Sequence, residues 1–133
     1  KISIVLGTRP EVIKMSSVIR ECEKQNIDYF ILHTGQHYPY NLDKIFFEDL
    51  ELPAPKYNLD VGSARYFQAP QEVGHVEAGL RSYDRTMPEE INRVLTDHIS
   101  DYLFAPAVKA RENLLREDIE EDKIFVTGNT IVD

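Results

Sequence analysis

The sequence predicts an α/β protein built on a doubly wound, mostly parallel sheet, and three observations carry that expectation. Short apolar runs rich in β-branched and aromatic residues recur at 2–6, 29–32, 73–76, 102–105 and 124–127, as buried parallel strands do. Amphipathic stretches with helical spacing alternate with them. Several of the runs end in glycine-containing turns, the rim at which open α/β sheets hold ligands.

Residues 2–6 suit a first strand, and Gly7-Thr8-Arg9-Pro10 turns the chain into a helix, where Pro10 fits a first helical position. Val12, Met15, Ile19 and Cys22 then recur on one buried face. A second strand at 29–32 runs into His33-Thr34-Gly35-Gln36-His37. Leu42, Ile45, Phe46 and Leu50 outline a second helix that Pro53 and Pro55 end, and 57–61 suits a short edge strand. After the run at 73–76, Ile91, Val94, Leu95, His98 and Ile99 form a helical stripe that begins near Pro88. The run at 102–105 stops at Pro106, and Val108, Leu114 and Leu115 lie in a charged surface helix. A last strand at 124–127 precedes Gly128-Asn129-Thr130.

One stretch has neither period. Residues 62–72 read Gly-Ser-Ala-Arg-Tyr-Phe-Gln-Ala-Pro-Gln-Glu. A parallel crossover usually takes a dozen or more residues and commonly a helix, so this junction is tight. Residues 1–133 are expected to form a single, incomplete Rossmann-like domain, with 62–72 as an atypical junction. Lys1 is not a methionine and Asp133 follows a strand signal closely, so both ends read as cut edges of something longer.

Composition excludes several function classes. A chain of 133 residues can bury one core and little more. Its 42% hydrophobic and 29% charged residues fit an ordinary soluble globular protein. A formal net charge of -8 argues against non-specific nucleic-acid binding, although a few focused cations can still hold a small anion. No apolar run approaches the ~20 residues of a membrane span, and no signal peptide opens the chain. The lone Cys22 cannot form an internal disulfide, which suits a reducing cytoplasm, and its place on an apolar face reads as a buried thiol.

Chemistry concentrates at the strand ends. Glu77 follows Val73-Gly74-His75-Val76, where a shielded carboxylate can move protons. The bland alternative is a carboxylate held by Arg81 or by backbone N–H groups. Gly7-Thr8-Arg9-Pro10 offers a cation and helix-terminal N–H groups that suit a phosphate, with Lys14 nearby; a plain turn with a solvated arginine is the alternative. Glu89 and Glu90 sit in a first helical turn, where acids favour the helix dipole without any catalytic role. With Arg81, Arg85, Asn92 and Arg93 around them, the cluster is nevertheless dense for a helix start with no ligand. His33 and His37 lack an accompanying ligand set for a metal. The acidic run 116–122 reads as a solvated surface loop.

Together these strings resemble the amino-terminal domain of the non-hydrolysing UDP-N-acetylglucosamine 2-epimerases. The resemblance rests on Gly7-Thr8-Arg9-Pro10-Glu11-Val12-Ile13-Lys14, Thr34-Gly35-Gln36-His37, Val73-Gly74-His75-Val76-Glu77-Ala78-Gly79-Leu80-Arg81, Pro88-Glu89-Glu90-Ile91-Asn92-Arg93 and Thr127-Gly128-Asn129-Thr130, in that order. It implies one half of a two-domain glycosyltransferase-B-like architecture. It also implies an isomerase that interconverts UDP-N-acetylglucosamine and UDP-N-acetylmannosamine by eliminating and re-adding UDP, for surface polysaccharide synthesis. By the same resemblance Glu77 and Glu89 are acid/base carboxylates, Arg9 and Lys14 bind substrate, and Gln36 and His37 bind an activating second substrate molecule. No metal or redox cofactor is implied; the longer protein is expected to be a cytoplasmic homodimer. Arg9, Glu77 and Glu89 are expected to meet in one cleft.

The departures are as informative. The family has a further strand ending in His-Gly-Asp-Thr, flanked by helices, where this chain has 62–72, and a carboxyl-terminal domain with a catalytic histidine. The isolated chain is therefore expected to be inactive. A non-catalytic nucleotide-sugar-binding module and a hydrolysing 2-epimerase relative are the other readings.

Overall fold

The computed structural model describes residues 1–35, 40–58 and 72–131, the side chains of 40–44 excepted. The chain divides into two compact units, Lys1–Gln68 with Thr130–Asp133, and Ala69–Asn129. Each holds one three-stranded sheet in which every pairing is parallel.

In the first unit, β1 (Ile2–Leu6) pairs with β2 (Tyr29–His33) in the register Ile4 to Ile31 and Leu6 to His33. β2 then pairs with the two-residue β3 (Tyr57–Asn58). Alternation sends Ile4 and Leu6 into the core and leaves Ser3 and Val5, on the opposite side of the strand, exposed. α1 (Arg9–Lys24) buries Val12, Ser16, Ile19 and Cys22, a three-to-four-residue repeat. Phe47 of α2 (Tyr40–Asp49) and Leu52 complete this core. Cys22 is a free, buried thiol, as its position led one to expect, and burial, with the nearby Glu21 charge, pushes its pKa up.

The second unit runs β4 (Gly74–Val76), α3 (Pro88–Ile99), β5 (Tyr102–Ala105), α4 (Val108–Arg116) and β6 (Ile124–Val126). α4 lays Ala110 and Leu114 on Leu103, Ala105 and Ile124, and Ala78 joins this cluster. The α3 stripe does not behave as its spacing suggests. Ile91, Leu95 and Ile99 are 44%, 54% and 44% exposed, while the acidic Glu90 and Asp97 are buried. The cause lies in the loop after β4, described below. Among the described residues no helix is long and apolar enough to cross a membrane.

Gly79 shows how closely that loop is packed. Its φ is 79°, and a Cβ there would lie 2.3 Å from the Ala110 carbonyl oxygen and 2.9 Å from Leu114 Cγ. Gly128 has φ 86° but nothing within 4 Å. Adding a methyl group at Gly79 therefore incurs backbone strain and a clash, at Gly128 only strain. Gly79→Ala is expected to cost about 2–5 kcal/mol and Gly128→Ala about 1–2 kcal/mol, read from urea unfolding midpoints. Equal costs would contradict this packing.

Candidate functional site

Glu77 is the first residue beyond β4, half-buried, with φ 66°. A side chain with a Cβ enters this left-handed region only when its surroundings hold it there. Gly79 at 79° and Tyr83 at 61° follow, so three left-handed residues fall within seven. Hydrogen bonds fasten the loop between them. Ala78 N–H donates to the Phe104 carbonyl at 3.1 Å, tying the loop to β5. Gly79 N–H donates to Asp97 Oδ2 at 3.1 Å, and the Gly79 carbonyl accepts from Asn113 Nδ2 at 2.9 Å. Tyr83 Oη donates to the other side of that amide, Asn113 Oδ1, at 2.9 Å.

Two carboxylates from α3 do the rest. Asp97, with its side chain fully buried, lies 2.6 Å from His75 Nδ1 and 2.7 Å from Arg81 Nη1. An ionised carboxylate only accepts, so His75 carries its proton on Nδ1. Arg81, equally buried, forms a two-pronged pair with Glu117 at 2.7 and 2.6 Å. Glu90 accepts from the backbone N–H of Ser82 at 3.1 Å and of Tyr83 at 3.0 Å, and pairs with Arg93 at 3.0 Å.

Burial works to raise the Asp97 pKa, but the hydrogen bonds and charges of His75 and Arg81, with Gly79 N–H, outweigh it and hold the group below the usual carboxylate range. Glu90 is depressed in the same way, burial opposing and the Ser82 and Tyr83 amides and Arg93 prevailing. Burial also opposes the Arg81 charge, and the bonds to Glu117 and Asp97 overcome it, so the guanidinium is held charged even more firmly than in water.

The sequence-predicted residues divide between the units. Arg9 is the first residue of α1, its guanidinium 5.2 Å from the centre of the Phe46 ring. Lys14 is half-buried five residues on, about 140° round the same helix. Glu77 and Glu89 lie in the second unit, Glu89 exposed in the first turn of α3 beside the buried Glu90. Gln36 and His37 lie outside the described residues, as do residues 62–71 of the junction.

Three readings change. The N–H groups of Gly7 and Thr8 are not open to a phosphate, because the Glu11 carboxylate accepts from both; Thr8 and Glu11 form a capping box. An anion near Arg9 can use those two N–H groups only by displacing Glu11. The dense cluster around Glu90 is in large part self-neutralising, Arg93 on Glu90 and Arg81 on Asp97 and Glu117. Glu117, expected in a solvated acidic run, turns inward to Arg81 and lies 3.5 Å from His98 Nε2. Asp97 and Asn113, which hold the loop, stood out in no sequence pattern. Helix-spaced polar residues read as a solvated face until the loop they serve is seen.

Both α3 carboxyls have folded-state pKa values below their unfolded ones, about 3.9 for Asp and 4.3 for Glu. Their contribution to stability is thus complete above about pH 5 and is lost as pH falls through the folded values, below about pH 4. The urea midpoint is expected to be level near neutrality and to fall in acid, less steeply in Asp97→Asn; a midpoint unchanged down to pH 3 would contradict it.

A profile of the UDP-N-acetylglucosamine 2-epimerase family matches residues 63–133. The UDP-N-acetylglucosamine 2-epimerase of Methanocaldococcus jannaschii is 53% identical over 172 aligned positions, taking in 100% of this chain and 47% of that protein. The UDP-2,3-diacetamido-2,3-dideoxy-D-glucuronate 2-epimerase of Pseudomonas aeruginosa is 35% identical, over 100% of this chain and 49% of its own length. The crystal structure of the M. jannaschii enzyme in complex with UDP-GlcNAc and UDP matches with a TM-score of 0.87 at 53% identity, over 98% of this chain and 47% of that one. The Neisseria meningitidis enzyme bound to UDP-GlcNAc matches at 0.83 and 31% identity, over 98% and 46%. The chain spans about half the length of the curated relatives it matches. At least 39 of the 172 positions aligned with the M. jannaschii protein (172 less 133) face no residue of this chain. The profile match, which takes in more than half of the chain, shows that the chain belongs to the UDP-N-acetylglucosamine 2-epimerase family.

Proposed function

We propose that this chain is the amino-terminal, substrate-binding part of an enzyme that interconverts UDP-N-acetylglucosamine and UDP-N-acetylmannosamine. The observation that carries this reading is the 53% identity, across the whole of this chain, to the M. jannaschii UDP-N-acetylglucosamine 2-epimerase.

The chemistry asks for two carboxyl groups and an anion-binding cation. One carboxylate takes the C2 proton; its C–H electrons form the C1–C2 double bond, and the C1–O bond breaks with its electrons leaving on UDP. A second carboxylic acid then returns a proton to the opposite face of C2, and the UDP oxygen re-adds at C1. The C2 proton is weakly acidic, so this needs a well-placed base and positive charge on the departing diphosphate. Glu77, held at a strand end, and Glu89, exposed beside the buried Glu90, are the proposed pair, each the acid in one direction and the base in the other. Arg9 and Lys14 are proposed to bind the UDP moiety, and Gln36 and His37 an activating second substrate molecule. The absent positions of the alignment are assigned to the 62–72 junction. The longer enzyme is proposed to be a cytoplasmic homodimer, for which the free, buried thiol of Cys22 suits a reducing compartment.

The 133-residue chain by itself is expected to bind UDP or UDP-N-acetylglucosamine measurably and to turn neither sugar over. Titration calorimetry reads the binding, and Arg9→Ala should weaken it about tenfold, the loss of one charged contact. NMR of the sugar after incubation reads turnover. Absence of heat with either ligand would sink the nucleotide-sugar reading. Epimerisation near the rate of a two-domain enzyme would overturn the claim of inactivity, and free N-acetylmannosamine would mark a hydrolysing relative.

A further inference from the structure

We propose that Asp97 and Glu90 are positioning residues that lock Glu77 and Glu89 into one fixed register, an inference that rests on the acid/base roles given above. Asp97 touches the chain on both sides of Glu77: His75 two residues before it, Gly79 two after and Arg81 four after. Nothing on α3 other than this buried carboxylate reaches His75, Gly79 and Arg81 together among the described contacts. Glu90 takes the next two amides of the same loop, Ser82 and Tyr83, and is the chain neighbour of Glu89. One helix therefore grips the loop that carries one proposed proton-transfer group and itself carries the other.

The left-handed φ values of Glu77 and Tyr83 show what the grip opposes. Both residues have a Cβ, and left to themselves would leave that region. Their conformations persist because the loop's amides are bound by carboxylates that cannot move: Asp97 is also fixed by Arg81, which Glu117 holds from α4's end, and Glu90 by Arg93. Pairing the loop's donors requires acceptors, but by itself demands no single placement of Glu77. Proton transfer sets a stricter need, since a misplacement of about 1 Å can cost a hundredfold in rate.

The test is NMR on the isotopically labelled 133-residue chain, comparing wild type with Asp97→Asn and Glu90→Gln, each close in shape to the residue it replaces. The Cα and Cβ shifts of Glu77 report whether its φ stays near 66°; amide shifts of Leu103 and Ile124 report the core. In Asp97→Asn the left-handed shift pattern at Glu77 should be lost while the core shifts persist. In Glu90→Gln the shifts at Tyr83 and Glu89 should move together. Glu77 and Glu89 shifts unchanged in both variants would overturn the proposal. So would unfolding of both with no state in which the core survives and the loop is displaced, because that would assign the carboxylates to the fold alone. Adding UDP-N-acetylglucosamine to the wild-type chain separates the underlying reading: no perturbation anywhere would count against the substrate assignment, while leaving the variant comparison to decide the clamp.

Discussion

The second unit is organised around one buried negative charge. Asp97 sits where water cannot reach it, and a lone carboxylate there would cost several kcal/mol. It persists because three donors converge on it: the His75 ring, the Gly79 amide and the Arg81 guanidinium. Each of those groups belongs to the chain around Glu77. The charge, the left-handed backbone and the placement of the strand-end glutamate are therefore one constraint. Arg81 extends it to α4 through Glu117, and Asn113 extends it again by bonding the Gly79 carbonyl and the Tyr83 hydroxyl.

That constraint explains why α3 faces as it does. A helix with Ile91, Val94, Leu95 and Ile99 on one stripe would ordinarily bury the stripe. Here the loop after β4 presents five donors, His75, Gly79, Arg81, Ser82 and Tyr83, that need acceptors. The helix supplies Asp97 and Glu90 to them, and Ile91, Leu95 and Ile99 turn outward. Satisfying buried donors outweighed burying three aliphatic side chains, in keeping with the high cost of an unpaired buried polar group.

Much of the architecture was legible in the residues because it depends on local period. The β-branched runs gave β1, β2, β5 and β6 to within a residue or so, and the spacing of Val12, Ile19 and Cys22 gave the buried face of α1. Pro88 and Pro106 marked real boundaries for the same reason, since proline opens or ends an element through its own geometry, whereas α2 stops at Asp49, ahead of Pro53. What stayed hidden was non-local. Glu89 and Glu90 are indistinguishable in sequence; only the amides of Ser82 and Tyr83 separate the buried member from the exposed one. Glu117 lies in an acidic run and is recruited by an arginine 36 residues away. Glu11 could be read as a helix-dipole residue, yet it occupies the very N–H groups that looked available to a phosphate.

The loop after β4 should be as rigid as the core beneath it, because its amides end on buried carboxylates. Amide hydrogen exchange tests this most directly. Gly79, Ser82 and Tyr83 should exchange as slowly as Leu103 and Phe104 in β5, although Ser82 and Tyr83 are exposed loop residues. Exchange of these three amides at the rate of an unprotected loop, with β5 still protected, would contradict it.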